Sequence, residues 1–406
     1  MPLAPLQLWR RVAADPALLA QAVAAAPGDV NAVKRLRRDH DADTVAVALD
    51  LVRARAKAET KFPGRASALL ADPAGVEQAT SGTVAAYKAR RFAQVCGRVA
   101  GRRVVDLGCG IGGDAMGLAD AGLKTTAVDL DPVRAAMAAH NAGVPAVVAD
   151  ARDWDSISPP SRTPSGAALH LDPARRTAAG RTHRLADTLP PPDVVAALIG
   201  AHASAGVAVK LSPAVDLAEL ADALPPGELE FISEAGRLVQ AVLWTGGLAG
   251  PEHAARRATL LDDGQTHTLS GEPGEPAWSE PRRLLFTVDP AAERARLLQH
   301  LGLPAIHPQL GLLTADEDPQ SAWLTAFELV EQLPWREKRV AARLRALGAG
   351  IVEVKTRGGA VDPDHAQKRL RGTGKTPFTV FVLRWDRRVV ALITRRLAGP
   401  CGRTSR

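Results

Sequence analysis

The sequence predicts an α/β chain built on a doubly wound parallel sheet, and three observations carry that prediction. Val104-Val105-Asp106-Leu107 is a short, β-branched and apolar run, suited to a strand buried on both faces. It leads directly into Gly108-Cys109-Gly110-Ile111-Gly112-Gly113, where residues without a Cβ let the backbone turn sharply and bring its amides against a ligand. Beyond Asp114, residues Ala115, Leu118, Ala119 and Leu123 recur at the spacing of a helix with one buried side. Strand, glycine loop and helix together make a cradle for a small cofactor.

The following strands carry the same logic. Residues 125–128 read as a second strand ending on Asp129, about twenty residues past the first glycine, where a carboxylate accepts both hydroxyls of an adenosine ribose. A third, 146–148, ends on Asp150, placed for an adenine amino group. The fourth, 167–171, runs into Asp172-Pro173-Ala174-Arg175-Arg176. Acidic residues closing strand after strand put polar chemistry along the carboxyl edge of one sheet, where open α/β sheets bind ligands. Gly108, Gly110 and Gly113 also satisfy the dinucleotide pattern G-x-G-x-x-G, so the loop alone leaves the cofactor open. Blander roles exist as well: Asp129 or Asp150 as a helix cap, and Asp172 as an ordinary strand-end turn.

The run Asp106-Leu107-Gly108-Cys109-Gly110 with Asp129, Asp150 and Asp172-Pro173 resembles class I S-adenosylmethionine-dependent methyltransferases. A wider frame is more specific: Glu77-Gln78-Ala79-Thr80, Ala89-Arg90-Arg91-Phe92-Ala93, Asp172-Pro173-Ala174-Arg175-Arg176 and Val354-Lys355-Thr356-Arg357-Gly358. It is similar to a bacterial family of such enzymes with a C-terminal THUMP-like domain, and it covers most of the chain from about residue 61 onward. The resemblance implies a seven-stranded, Rossmann-like methyltransferase sheet, with helices before it and an α+β domain after it. The expected division is an N-terminal helical region (1–80), the methyltransferase domain (81–247), a connecting segment (248–325) and the THUMP-like domain (326–400).

What the resemblance implies for the site follows residue by residue. S-adenosylmethionine is the cofactor. Gly108, Gly110 and Gly112 shape the loop around its methionine part, Asp106 or Asp114 lies near the ammonium, Asp129 takes the ribose and Asp150 the adenine. Asp172, Pro173 and Arg175 are the catalytic candidates. Methyltransferases acting on exocyclic amino groups place an [Asp/Asn]-Pro-Pro-aromatic loop against the target nitrogen. Here Ala174 and Arg175 replace the second proline and the aromatic, and an arginine plane is able to stack on a base. Arg175 and Arg176 are equally suited to a substrate phosphate.

The rest of the chain is read in order. Residues 1–80 have helical periodicity, with Leu18, Leu19, Val23 and Ala24 in one stretch and Val45 to Ala54 in another. Between them Lys34-Arg35-Leu36-Arg37-Arg38 is either a solvated helix face or an RNA contact. A helix over 84–96 precedes the first strand, and Thr80 to Arg91 is a candidate lid within which Lys88, Arg90 and Arg91 face solvent, cofactor or substrate. Helices follow over 132–141 and 193–203, the latter capped by Asp193, then a strand at 207–211 and an antiparallel pair at 229–233 and 238–244. A hairpin turns at Asp262-Asp263-Gly264. Residues 271–281 are a linker, and 289–301 a helix. The last part alternates helix 337–347, strand 351–354, helix 363–370 and strands 379–384 and 389–394. Lys355, Arg357, Lys368, Arg369, Arg371 and Lys375 gather around its loops, as solvated charges or as an RNA grip.

Bulk properties bound the partners. The chain has 406 residues, with 51 Lys and Arg against 44 Asp and Glu, a formal net charge of +7 that suits RNA without demanding it. Three scattered cysteines, Cys96, Cys109 and Cys401, form neither a C-x-x-C zinc pattern nor a disulfide framework, so no metal is expected. No apolar run approaches the ~20 residues of a membrane span, and no signal peptide is recognisable. A cytoplasmic, adenosylmethionine-dependent RNA methyltransferase is therefore the expectation. A methyltransferase for a small molecule or protein, and a non-catalytic RNA-binding protein with a vestigial cofactor fold, stand as alternatives.

Overall fold

A computed structural model describes residues 5–25, 29–96, 103–153, 167–174, 176–177, 180–181, 184–249, 255–307, 310–385 and 387–397. The chain divides into two compact units. The first comprises Met1–Leu229 with Gln240–His253, the second Glu230–Val239 with Ala254–Arg406.

The first unit opens with helices α1 (Pro5–Ala13), α2 (Pro16–Ala24), α3 (Val30–Asp39) and α4 (Ala42–Ala58). Aspartates at 15, 29 and 41 cap the last three by accepting from backbone N–H groups of the first turn, each removing an otherwise unpaired donor. Val12, Leu18, Ala22, Leu36, Val45 and Leu51 bury a common core between them. On α3 only Ala32 and Leu36 are buried, and the four cations of the basic run lie on its exposed face. The far end of α4 packs elsewhere. Ala54, Ala58 and Phe62, with Leu70 and Val76 of the segment holding α5 (Pro73–Gln78), cluster with Ile111, Met116 and Met137 from around the glycine loop.

Strands β1 (Arg103–Leu107), β2 (Lys124–Asp129), β3 (Ala146–Val148) and β4 (Ala168–Leu171) follow, then a two-residue ribbon of β5 (Arg176–Thr177) and β6 (Gly180–Arg181). They lead to β7 (Val207–Leu211), β8 (Glu228–Glu234) and β9 (Arg237–Trp244). Parallel pairs link β3 to β2, β2 to β1, β1 to β4 and β4 to β7, and β9 then pairs antiparallel with β7. Within a sheet that two later strands extend beyond β8 to nine, these seven run in the order β3-β2-β1-β4-β7-β9-β8, so the last of the seven in sequence is inserted before the sixth. Five parallel strands closed by an antiparallel pair is the expected seven-stranded layout. It reverses direction beside β1, which places the glycine loop at the switch point.

Helices α6 (Gly82–Cys96), α7 (Gly113–Asp120), α8 (Pro132–Ala142), α9 (Pro192–Ala201) and α10 (Leu217–Ala223) cover this sheet. Val84, Ala85, Lys88, Ala89 and Phe92 bury one side of α6. A Cβ on Gly117 of α7 would stand 2.7 Å from the Ala85 backbone, so α6 is wedged against α7 as a packed wall rather than a lid. Helix α9 is capped differently from expectation: Pro191 is the N-cap and Asp193 lies in the first turn, where its charge meets the positive end of the helix.

In the second unit β10 (Arg256–Asp262) and β11 (Gln265–Gly271) form the expected hairpin, turning through Asp263 and Gly264 at φ 45° and 75°. The predicted 289–301 helix is shorter. Helix α11 (Pro290–Ala295) ends where Arg296 takes a left-handed φ of 58°, and a 3-10 turn at Leu298–Leu301 follows, because Leu297 and Leu298 both bury. A six-stranded sheet closes the chain in the order β13-β12-β14-β17-β16-β15. Its members are β12 (Leu284–Val288), β13 (Leu312–Ala315), β14 (Leu324–Pro334), β15 (Ala349–Arg357), β16 (Thr376–Trp385) and β17 (Arg388–Arg396). Helices α12 (Glu337–Ala346) and α13 (Pro363–Leu370) cover one face, where Val340, Leu344, Ala366 and Leu370 meet Val352, Val380, Val382 and Ile393.

Phe92 is fully buried between His170 and Trp244, with ring centroids 6.4 and 5.9 Å away. Phe92→Ala should therefore cost about 3–5 kcal/mol of stability. Urea denaturation followed by Trp fluorescence measures it, and a loss below 1 kcal/mol would show that α6 is not anchored through this ring.

Candidate active site

The glycine loop is shaped by backbone contacts. Gly108, at φ 74°, has the Asp172 carbonyl oxygen 2.5 Å from where a Cβ would stand, and Gly112, at φ 89°, has the Ala138 backbone 2.9 Å away. Neither position admits a side chain. Gly110 differs: nothing lies within 4 Å of its missing Cβ, so its outer side is open space for a ligand. The loop is tied from below, since Gly108 and Cys109 donate their N–H groups to the Val128 carbonyl. Asp172 N–H in turn donates to the Leu107 carbonyl at 2.9 Å. Residues 108–112 and Asp172-Pro173 are thus neighbours at the carboxyl edge of the sheet.

Asp129 closes β2 beside this opening. Its Oδ2 accepts from Gly110 N–H at 2.8 Å and its Oδ1 from Asp131 N–H at 3.0 Å. Asp131, not Asp129, caps α8. Burial pushes the Asp129 carboxyl above its ordinary pKa, opposed by the two backbone donors. An ionised carboxylate in that position gains from further hydroxyl donors. Leu130 (61% exposed), just past β2, and Val148 (54%), at the end of the neighbouring β3, present uncovered apolar surface. Asp150 is engaged otherwise: Arg152 forks onto it through Nε and Nη2 at 2.9 and 2.6 Å, and Arg152 N–H donates to its Oδ1. Those hydrogen bonds hold its carboxyl below the usual range.

Beneath the loop lies a buried polar network. Asp106 and His170 are register partners on β1 and β4, and His170 Nδ1 is 2.7 Å from Asp106 Oδ1. Lys88 Nζ lies 3.0 Å from His170 Nε2 and 2.5 Å from Asp114 Oδ1. An ammonium only donates, so Nε2 accepts and Nδ1 carries the proton given to Asp106. Thr80 completes the set by donating to Asp114 Oδ2 at 2.7 Å. Burial raises the Asp114 pKa, but the ammonium charges of Lys88 and Lys210 and the Lys88 hydrogen bond outweigh it and hold the carboxyl well below the carboxylate range. The second oxygen of Asp106 is buried without a hydrogen-bond partner among the described residues.

Lys210, near the end of β7, reaches Asp172 Oδ2 at 2.6 Å and the Gln78 carbonyl at 3.3 Å. Cys109 is a packing residue: burial, reinforced by the nearby Asp106 and Asp129, pushes its thiol far above the reactive range. The structure therefore brings together Asp106, Gly108, Gly110, Gly112, Asp114, Asp129, Asp172 and Pro173, and sets Asp150 at the adjoining edge with its carboxylate already paired. Arg175 lies outside the described residues. His170 and Lys210 escape a reading based on strand-end acids. Their signal was nonetheless present, as single polar residues inside otherwise apolar strands, Ala168-Leu169-His170-Leu171 and Val207-Ala208-Val209-Lys210-Leu211. Lys88 resolves to the buried network and Arg90 to solvent. Arg91 bonds Glu228 at 2.5 Å and stacks over Trp244.

A glycine-rich loop at the switch point of this strand order, flanked by strand-end carboxylates, defines a class I S-adenosylmethionine-dependent methyltransferase. Two Mycobacterium tuberculosis proteins, from strains CDC 1551 / Oshkosh and ATCC 25618 / H37Rv, are each described as an uncharacterised S-adenosylmethionine-dependent methyltransferase. Each is 34% identical to this chain over 329 residues, 80% of this chain and 87% of the relative. The chain belongs to that family, and S-adenosylmethionine is its cofactor. Residues 324–396 match the THUMP domain-like family. The fold also matches the crystal structure of a candidate methyltransferase from Porphyromonas gingivalis W83, at TM-score 0.70 and 18% identity over 97% of this chain and 98% of that one.

Removing the ammonium from this network leaves a carboxylate buried and unpaired. Lys88→Met should cost about 3–5 kcal/mol, and much of that should return in Lys88→Met with Asp114→Leu, both read by chemical denaturation. Asp114 has a lowered folded pKa, so its contribution is complete above the ordinary carboxylate value near 4 and drains away as pH falls below it. Asp114→Asn should accordingly flatten the acid limb of the stability profile below about pH 4, and an unchanged limb would exclude Asp114 as its source.

Proposed function

We propose that this enzyme methylates RNA, with the second unit supplying much of the grip on the polynucleotide. The observation that carries the RNA assignment is the charge of the THUMP-like region. Lys338, Arg339, Arg345, Lys368, Arg371 and Lys375 are exposed, and none of them pairs with a carboxylate among the described residues. By contrast Lys355, Arg343 and Arg369 are neutralised by Glu353, Glu331 and Glu337. Unpaired surface cations are what phosphate backbones recruit, through release of condensed counterions. The division into an N-terminal helical region, a methyltransferase domain, a connecting segment and this THUMP-like domain belongs to the same proposal.

S-adenosylmethionine supplies an electrophilic methyl group on a sulfonium. In this reading the backbone of Gly108, Gly110 and Gly112 cradles the methionine part, Asp106 and Asp114 supply negative charge beneath its ammonium, and Asp129 accepts the ribose hydroxyls. Leu130 and Val148 give the adenine an apolar seat, and Asp150 meets its amino group by giving up part of the fork with Arg152. Asp172 and the Pro173 turn then face the acceptor. The Asp172 carboxylate would take a hydrogen bond from an N–H of the target amine and so orient the nitrogen lone pair toward the methyl, the surplus proton of the methylated nitrogen passing to water. Arg175 is the candidate to stack on the base or to hold its phosphate.

Transfer of labelled methyl to RNA, protein and small-molecule pools from a strain lacking this gene tests the reading. Label should enter RNA with the unaltered enzyme and not with Asp172→Ala. Label confined to protein or to small molecules would make this a methyltransferase of another substrate class. Asp129→Ala should weaken adenosylmethionine by ~1–3 kcal/mol in calorimetry, the scale of a lost buried acceptor; unchanged affinity removes it from the cofactor site. RNA affinity should fall steeply between low and moderate salt, and a flat response would detach the basic face from RNA.

A further inference from the structure

We infer that Lys210 is the positioning residue for methyl transfer: it fixes the Asp172 carboxylate so that one oxygen stays turned toward the acceptor. This rests on the reading of Asp172 given above. Lys210 stands near the carboxyl end of β7, the strand adjoining β4, and its side chain is 8% exposed. Its ammonium meets Asp172 Oδ2 at 2.6 Å and also donates to the Gln78 carbonyl on the segment leading into Thr80. Thr80 in turn bonds Asp114. Lys210 is therefore held from both sides of the crevice and is not a swinging surface lysine.

The consequence lies in how the two oxygens of Asp172 are used. Its side chain is 28% exposed, its Oδ2 belongs to Lys210, and no other described residue hydrogen-bonds Oδ1. The backbone on both sides is fixed, since Asp172 N–H donates to Leu107 and Ala174 exchanges two hydrogen bonds with Leu189. A carboxylate pinned through one oxygen, on a backbone locked at both ends, presents the other in a single direction. An anion beside a cation accepts hydrogen bonds and gives none. The arrangement selects an acceptor bearing N–H and disfavours a group that must itself be given a proton. A carboxylate free to rotate would lose that direction, and a misplacement near 1 Å costs on the order of 10²-fold in rate.

The test compares Lys210→Met, Lys210→Arg, Asp172→Ala and the Lys210→Met/Asp172→Ala pair in the full chain. Methyl transfer to RNA from the deletion strain and calorimetry with S-adenosylhomocysteine are the readouts. Lys210→Met should lower kcat about 10²-fold while cofactor affinity stays within about threefold, which also certifies the fold. Lys210→Arg should recover at least a tenth of the rate, and adding Lys210→Met to Asp172→Ala should cost nothing further. A Lys210→Met rate within threefold of the unaltered enzyme, or a loss additive to that of Asp172→Ala, overturns the role of Lys210 while Asp172 keeps its own. Full activity in Asp172→Ala overturns both.

Crystal structures of the unaltered chain and of Lys210→Met with S-adenosylhomocysteine give a reading independent of substrate. The Asp172 carboxylate should occupy one position in the former and shift or split in the latter. The same single position in both rejects the proposal.

Discussion

The first unit depends on one buried ion pair, Lys88 with Asp114, and on what that pair obliges its neighbours to do. Removing two charges from water costs several kcal/mol for each ion, and mutual attraction offsets this only if the remaining donors and acceptors are also satisfied. Here Lys88 gives its second bond to His170, and Asp114 takes its second from Thr80. His170 passes the polarity on to Asp106 across the β1–β4 register. Four elements, α6, α7, β1 and β4, are thereby held in one geometry by directional bonds as well as by apolar contact, which alone would tolerate slippage. That geometry fixes the floor of the glycine loop.

The upper side of the crevice follows from a close approach of backbones. With the Asp172 carbonyl 2.5 Å from the position of a Cβ on Gly108, the cofactor loop and the strand-four loop are in contact through main chain alone. Cradle and candidate acceptor site cannot drift apart without breaking the Asp172-to-Leu107 hydrogen bond. In-line transfer needs two partners at about 3 Å in fixed alignment. A methyltransferase that relied on mobile side chains would have to re-create that alignment at each turnover, whereas this arrangement builds it into the ends of adjacent strands.

The parts legible in the sequence were those whose signal is local. Val104 to Gly113 declared strand, loop and helix because hydrophobic run, glycine spacing and helical period follow one another within a dozen residues. The strand-end acids were legible for the same reason. What escaped was long-range: His170 and Lys210 acquire meaning only once β4 lies beside β1 and β7 beside β4. Helix ends also resisted, as at Arg296, where a non-glycine residue adopts φ 58° because two consecutive leucines must both bury. Asp150 shows the converse limit. Its position at a strand end was plain, but the competing cation two residues along, Arg152, is what occupies its carboxylate.

Charge links the two halves of the chemistry. In the first unit the cations Lys88, Lys210 and Arg91 are buried or nearly so and each is committed to a carboxylate, Asp114, Asp172 or Glu228. They contribute order and little net field at the surface. In the THUMP-like region the balance is reversed, with more exposed cations than carboxylates to pair them. A long polyanion would be attracted by these cations, together with those exposed on α3, while in the proposed reading the crevice discriminates at the scale of one nitrogen and one methyl group. Separating attraction from discrimination has a physical advantage. Phosphate contacts are strong and indifferent to sequence, so in the proposed reading the choice of methylated atom falls to the direction that Lys210 imposes on Asp172.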